Sequence, residues 1–340
     1  ATTAPATASP SPGASGAGGT EIRSGVDTSI TPAPLQTGDT FVTQPTPSPT
    51  PLGAVGPKVA ASGARGLAIP DGKQWPYFLR QTSLLELDSE GRPGQTYGSP
   101  ITQAVACVAD GARSIWVLSD GPAHVDRFLL GISGLQGTTA FSPGGTPRAL
   151  GARGGEVWAA VAGGTLARYR LSDNATASFA GFGSPRALWV GQTHVWVGGA
   201  KQVFKVKRAD GASEATYAAS ADPIALAEAA DGSGWALLDG ASQALRIAGD
   251  GATASINLGA AASAIAADAR RVWVALPGKV AHFKPDGTKE GELPVAYQDP
   301  IEGSQSLTGS AMARDGLGRI WVLDASAGVA VPVWGRKEGE

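Results

Sequence analysis

The sequence predicts an all-β protein, a seven-bladed β-propeller with an extended N-terminal Pro/Thr/Ala-rich arm. Three observations predict it. Seven tryptophans, Trp75, Trp116, Trp158, Trp196, Trp235, Trp273 and Trp321, recur at intervals of 41, 42, 38, 39, 38 and 48 residues. A fixed period with one aromatic β-run per unit marks a repeat architecture. Most of these tryptophans lie in short apolar runs such as Ser114-Ile115-Trp116-Val117-Leu118 and Arg271-Val272-Trp273-Val274-Ala275. Asp-Gly pairs supply the corners. Asp71-Gly72, Asp110-Gly111, Asp231-Gly232 and Asp315-Gly316 precede the tryptophan strand, and Asp210-Gly211, Asp250-Gly251 and Asp286-Gly287 follow it by 13 to 15 residues. Such pairs tolerate the positive φ of tight hairpins. Two corners per period define an antiparallel meander, which is a propeller blade.

Residues 1–62 read as an arm, rich in Ala, Thr, Pro, Ser and Gly, as in Pro45-Thr46-Pro47-Ser48-Pro49. Such a composition buries too little apolar surface to offset the entropy of ordering it. Its one patch with strand character is Asp39-Thr40-Phe41-Val42-Thr43. Residues 63–335 read as the propeller and residues 336–340 as a tail. Each unit divides into four strands. The first is small and apolar, as in Arg186-Ala187-Leu188-Trp189-Val190, and the second carries the repeated tryptophan. The third alternates, as in Leu166-Ala167-Arg168-Tyr169-Arg170, and the fourth is short and less regular, as in Ala177-Ser178-Phe179. Inner strands crowd the axis and need small side chains, whereas an indole fills the wedge between diverging blades. Blade one reads Trp75-Pro76-Tyr77-Phe78, and Pro76 removes a ladder donor, so an irregularity is expected there. The last unit lacks an outer strand, and residues 39–43 are the expected donor that closes the ring.

The net charge of −2, with no run of Lys or Arg, gives no electrostatic support to a nucleic-acid or anionic-membrane partner. The single cysteine, Cys107, forms no intrachain disulfide and reads as a small buried hydrophobe. No apolar run is long enough to span a bilayer as a helix. The chain begins with Ala and passes directly into low-complexity sequence. That reads as a mature exported protein, periplasmic or at the cell surface.

The phrases Ser184-Pro185-Arg186-Ala187-Leu188, Val195-Trp196-Val197, Lys205-Val206-Lys207 and Asp210-Gly211 resemble the repeat of the virginiamycin B lyase-like and NHL-type bacterial propellers. The resemblance spans residues 63–334 and implies the seven-bladed fold. It also implies, for the lyase branch, histidines and a divalent cation at one face of the ring. This chain has no paired-histidine motif to receive those roles, so no catalytic residue, metal ligand or cofactor is assigned.

The three histidines, His124, His194 and His282, fall in separate parts of the repeat, the first two on opposite faces. Neither a Gly-x-Ser-x-Gly elbow nor a phosphate-binding loop occurs in its required context. Asn174-x-Thr176 fits a glycosylation acceptor and also an exposed turn. The constellation with chemical content is Arg65, Arg148 and Arg186, at matching positions where innermost strands begin, with Asp222 and Gln103 nearby. Guanidinium groups around one channel mouth hold an anion or a carboxylate-bearing partner, or else pair with nearby acids. The 48-residue interval adds a loop over residues 292–302 that contains Tyr297, expected to overhang the same mouth. The expected function is a non-enzymatic binding or assembly module of the bacterial cell envelope, whose arm and one propeller face contact other envelope proteins. The alternative is a divalent-cation-dependent lyase or hydrolase at the channel mouth.

Overall fold

A computed structural model describes residues 56–333, apart from residues 57, 89, 112, 132, 133, 300 and 302. Seven four-stranded antiparallel sheets follow one another along the chain, with one two-stranded hairpin, and no helix occurs among the described residues. The chain is a seven-bladed β-propeller. Blade four shows the regular pattern: Ala187–Val190 innermost, then His194–Gly199, Gln202–Lys207 and Ser213–Ala218 outward.

The second strands are apolar on both sides because each is sandwiched between neighbouring blades. Trp116, Trp158, Trp235, Trp273 and Trp321 are fully buried, and Trp196 is 2% exposed. Each stands opposite a small or apolar residue of its inner strand, such as Gly151 for Trp158 and Ala227 for Trp235. Trp189 is the exception, an inner-strand indole paired with Trp196. Asn174 explains the Asn-x-Thr pattern locally: its φ is 55°, and its side-chain oxygen accepts a hydrogen bond from Tyr169 Oη at 2.6 Å.

Blade one departs from the rule that the tryptophan lies in the second strand. Its strands are Gly66–Ala68, Tyr77–Leu79, Leu84–Leu87 and Pro93–Tyr97, so Trp75 and Pro76 precede the second strand. Tyr77, paired with Ala68, takes the buried aromatic position. Its hydroxyl donates to Glu86 Oε1 at 2.7 Å, while Tyr97 Oη donates to Glu86 Oε2 at 2.6 Å. Burial and the Glu86 carboxylate raise both phenols, Tyr97 to about 12. Trp75 instead packs on Trp321 of blade seven, with ring centroids 5.5 Å apart.

Ring closure uses the N-terminal side, at a different segment from the expected one. Blade seven runs Ala311–Arg314, Ile320–Asp324 and Val329–Val333, and its fourth strand is Val59–Ala60. Val59 stands opposite Ala330 and Ala60 opposite Val329, and Gly56 N and Ala61 N add hydrogen bonds to Pro332 O and Gly328 O. Residues 39–43 lie outside the described residues, and the place predicted for them is filled. Val59 buries its β-branched side chain in the cluster with Phe78, Leu85 and Trp321. The propeller therefore begins at the closing strand, within the segment read as arm. The wide interval before Trp321 is explained by the hairpin Ala296–Asp299 and Gly303–Ser306.

Candidate functional site

The inner strands all begin at one face of the disc, the upper face here, and end at the lower face. Arg65 N and Arg186 N each donate to the carbonyl of the second-strand residue two beyond the buried aromatic, Leu79 O and Gly198 O, both at 2.7 Å. Arg148 is the bulged residue between Pro147 and Ala149, opposite Ala160 and Val161, which is the same place in blade three. Val105 and Ile224 are the bulged residues of blades two and five, and Ser263 and Ser310 occupy the position in blades six and seven. The register thus sets three arginines in one ring on the upper face.

All three side chains are exposed. Arg65 Nη2 donates to Gln81 Oε1 at 3.3 Å. Arg186 Nη1 lies 3.4 Å from Asp222 Oδ2, a long contact, while Asp222 Oδ1 accepts from Lys201 N at 3.0 Å. Arg148 has no acidic partner among the described residues. Arg148, Ala162, Ser184, Pro185 and Arg186 line one cavity of about 530 Å³ at the junction of blades three and four. Gln103 belongs to the same face, where its carbonyl accepts from Asp120 N at 3.2 Å. Tyr297 does not join this group or line that cavity. It is half-buried in the hairpin against the cluster of Trp273, Val331 and Val333, with Lys58 Nζ 5.0 Å from its ring centre. The expected place for it was over the mouth with the arginines; the ring packs on the cluster shared by blades six and seven.

The lower face uses arginine differently. Arg208 Nε donates to Glu156 Oε2 at 2.6 Å, and its terminal nitrogens donate to Arg153 O, Gly191 O and Gln192 O. Arg246 Nε donates to Pro285 O at 2.6 Å, reaching from blade five to blade six. Arg319 Nε donates to Asp315 Oδ2, and its Nη2 donates to Gln74 O across the blade seven–blade one junction. Arg168 lies over Trp158 at 5.3 Å and donates to Arg208 O at 2.9 Å. These clamps were not foreseen. Arg168 and Arg246 share a signal, a basic residue directly opposite the buried tryptophan in the third strand, as Arg127 and Lys205 also are. Arg208 follows its third strand and Arg319 precedes its second, and no such pairing marks them.

The histidines are separated. His124 Nε2 is 3.0 Å from the buried Asp126 Oδ2, and His124 Nδ1 meets Pro122 O. Burial pushes the Asp126 carboxyl up, against the opposing effects of Thr139 and His124. His194 bonds Glu214 Oε2 at 3.0 Å on the lower face. Hydrogen bonds from Lys205 and His194 hold the Glu214 carboxyl at about 2. His282 lies inside blade six against Trp273, and burial lowers its pKa. Among the described residues no group of three His, Cys, Asp or Glu is placed to hold a metal ion. Cys107 lines the axial channel, a cavity of about 810 Å³ shared with Leu150, Leu188, Trp189 and Ile265. Burial pushes its thiol up to about 12, which leaves it protonated at neutral pH.

The fold is a seven-bladed propeller with three exposed arginines at matching places on its upper face. No protein-family model matches the sequence, and no curated protein matches it. Solved structures do match the fold. A streptogramin B lyase superposes with a TM-score of 0.67 at 15% identity, covering 82% of this chain and 95% of that one. A catalytically inactive virginiamycin B lyase from Staphylococcus aureus with quinupristin gives 0.66 at 13% identity, covering 83% and 99%. A chain of the mitotic checkpoint complex gives 0.67 at 10% identity, covering 86% and 97%. The resemblance to the lyase propellers is one of fold, since a shared superfold carries unrelated functions.

Proposed function

We propose that this chain is a non-enzymatic interaction module of the bacterial cell envelope, an exported propeller that presents its upper face to an acidic partner. The N-terminal arm attaches it to a larger assembly. The observation that carries this reading is the contrast in arginine use. Arg208, 17% exposed, is saturated by four acceptors, whereas Arg186 is 56% exposed and Arg148 has no acidic partner among the described residues. Multidentate guanidinium groups held on rigid strands suit recognition of anionic groups on a partner. No helix among the described residues is long and apolar enough to cross a membrane.

The test compares wild type with the Arg65→Ala/Arg148→Ala/Arg186→Ala variant and with a chain lacking residues 1–46. Each is expressed in envelope-bearing cells, cross-linked and fractionated. The expected result is a cross-linked adduct in the envelope fraction, lost in the triple variant while Tm stays unchanged, and reduced without the arm. A soluble cytoplasmic protein with no adduct overturns the reading.

A further inference from the structure

We propose that the cleft between blades three and four on the upper face is a binding site for a tetrahedral oxyanion, a phosphoryl or sulfate group, rather than for a carboxylate. This rests on the reading that the upper face is the interactive one, and it names the ligand chemistry.

Three residues with donor groups, Arg148, Arg186 and Ser184, line that cleft. Arg148 and Arg186 arise from successive blades at matching register and line the same cavity of about 530 Å³. Ser184 lines it too, and neither its amide nor its hydroxyl has a hydrogen-bond partner among the described residues. Its φ of 37° places a non-glycine residue in the left-handed region at the connector between the two blades. Two guanidinium forks, an amide and a hydroxyl offer more N–H and O–H groups than the two oxygens of a carboxylate can accept. The three terminal oxygens of a phosphoryl or sulfate group match them better.

Asp222 sets the balance. It sits 3.4 Å from Arg186 Nη1 and already accepts from Lys201 N, so it neutralises part of the site without closing it. An incoming anion competes with this carboxylate for Arg186, and Arg148 carries the uncompensated charge. The geometry therefore assigns Asp222 as an internal competitor that tunes affinity, a role that a merely solvated ring of arginines would not show.

The experiment titrates the full chain with inorganic phosphate, sulfate and acetate at constant ionic strength. It follows amide ¹H–¹⁵N shifts of Ser184 and heats of binding. Saturable binding of phosphate and sulfate is expected, at least about tenfold tighter than acetate. Arg148→Met and Arg186→Met should each weaken phosphate by at least about tenfold with Tm unchanged, and Asp222→Asn should tighten it. Should either methionine variant melt early, the corresponding lysine variant, which keeps the charge and loses the fork, must show the weakening. Glucose 6-phosphate and phosphatidylglycerol vesicles then separate a soluble phosphoryl ligand from a lipid headgroup. A flat titration, equal affinity for acetate, or an Asp222→Asn variant that binds more weakly overturns the site. Loss of the site with arginine-dependent cross-linking intact leaves an acidic protein partner and removes only this inference. Phosphate binding without an arginine-dependent adduct removes the assembly reading instead.

Discussion

The upper and lower faces of the disc use the same side chain for opposite ends. On the lower face Arg208, Arg246 and Arg319 lie between blades, each reaching a main-chain carbonyl of a neighbouring blade. On the upper face Arg65, Arg148 and Arg186 begin the inner strands and point to solvent, with at most a long contact to Gln81 or Asp222. The difference follows from where the strands diverge. Arg246 in a third strand, Arg208 just after one and Arg319 just before a second strand all lie in the wedge between blades, where a long cation can reach a carbonyl of the next blade. Inner-strand starts lie at the rim of the channel, where no neighbouring loop closes over the guanidinium. An arginine in this fold is thus engaged between blades or left exposed according to its position in the blade.

The contrast can be broken hardest at the platforms of the lower-face clamps. Trp158→Ala removes a fully buried indole that carries Arg168 and stacks on Phe179, and should cost about 3–5 kcal/mol in chemical denaturation. A loss below about 1 kcal/mol would mean that the wedge refills. Arg319→Met leaves the buried Asp315 carboxylate without its guanidinium, and a loss of about 3 kcal/mol is expected. Deleting residues 1–62 strips Val59 and Ala60 from blade seven and should cost at least about 2 kcal/mol, whereas deleting residues 1–46 should leave Tm unchanged. Equal melting of the two truncations would show that the closing strand contributes nothing.

A pH test sharpens the comparison within the upper face. Burial raises the Asp324 carboxyl, but hydrogen bonds from Ser326, Ala327 and Thr308 outweigh it and hold the pKa below its ordinary 3.8. A carboxyl lowered on folding stabilises the protein above its unfolded pKa and loses that contribution as pH falls through the folded one. Asp324→Asn should therefore cost about 1–2 kcal/mol at pH 7, and the gap to wild type should shrink on acidification below about pH 4. A gap independent of pH would assign the cost to packing. The smallest effect belongs to Arg65→Ala/Arg148→Ala/Arg186→Ala, expected within about 0.5 kcal/mol of wild type. A fall of several degrees in Tm would make these arginines structural and erase the difference between the faces.

Much of this architecture is legible in the residues. The tryptophan period and the Asp-Gly corners state blade number and meander, because each blade repeats one hairpin chemistry. The matching of Arg65, Arg148 and Arg186 follows from their equal spacing of 10 residues before Trp75, Trp158 and Trp196. Other features escape a linear reading. Tyr77 replaces a tryptophan because Pro76 delays the start of the second strand, and Trp75 is displaced onto blade seven. The lower-face clamps are not legible in the local sequence, since their acceptors lie 39, 55 and 245 residues away.

The sequence by itself determined the repeat, its number and the ring of upper-face arginines, because those depend on local period and turn chemistry. Only the tertiary structure decided which strand closes the ring. Val59 fills that place by burying its side chain against Phe78 and Trp321, a contact that the local sequence around residue 59 does not announce. Likewise, only packing decided which arginines are consumed. A guanidinium's freedom depends on carbonyls and carboxylates that neighbouring blades bring to it, and that proximity is not a property of any local stretch of chain.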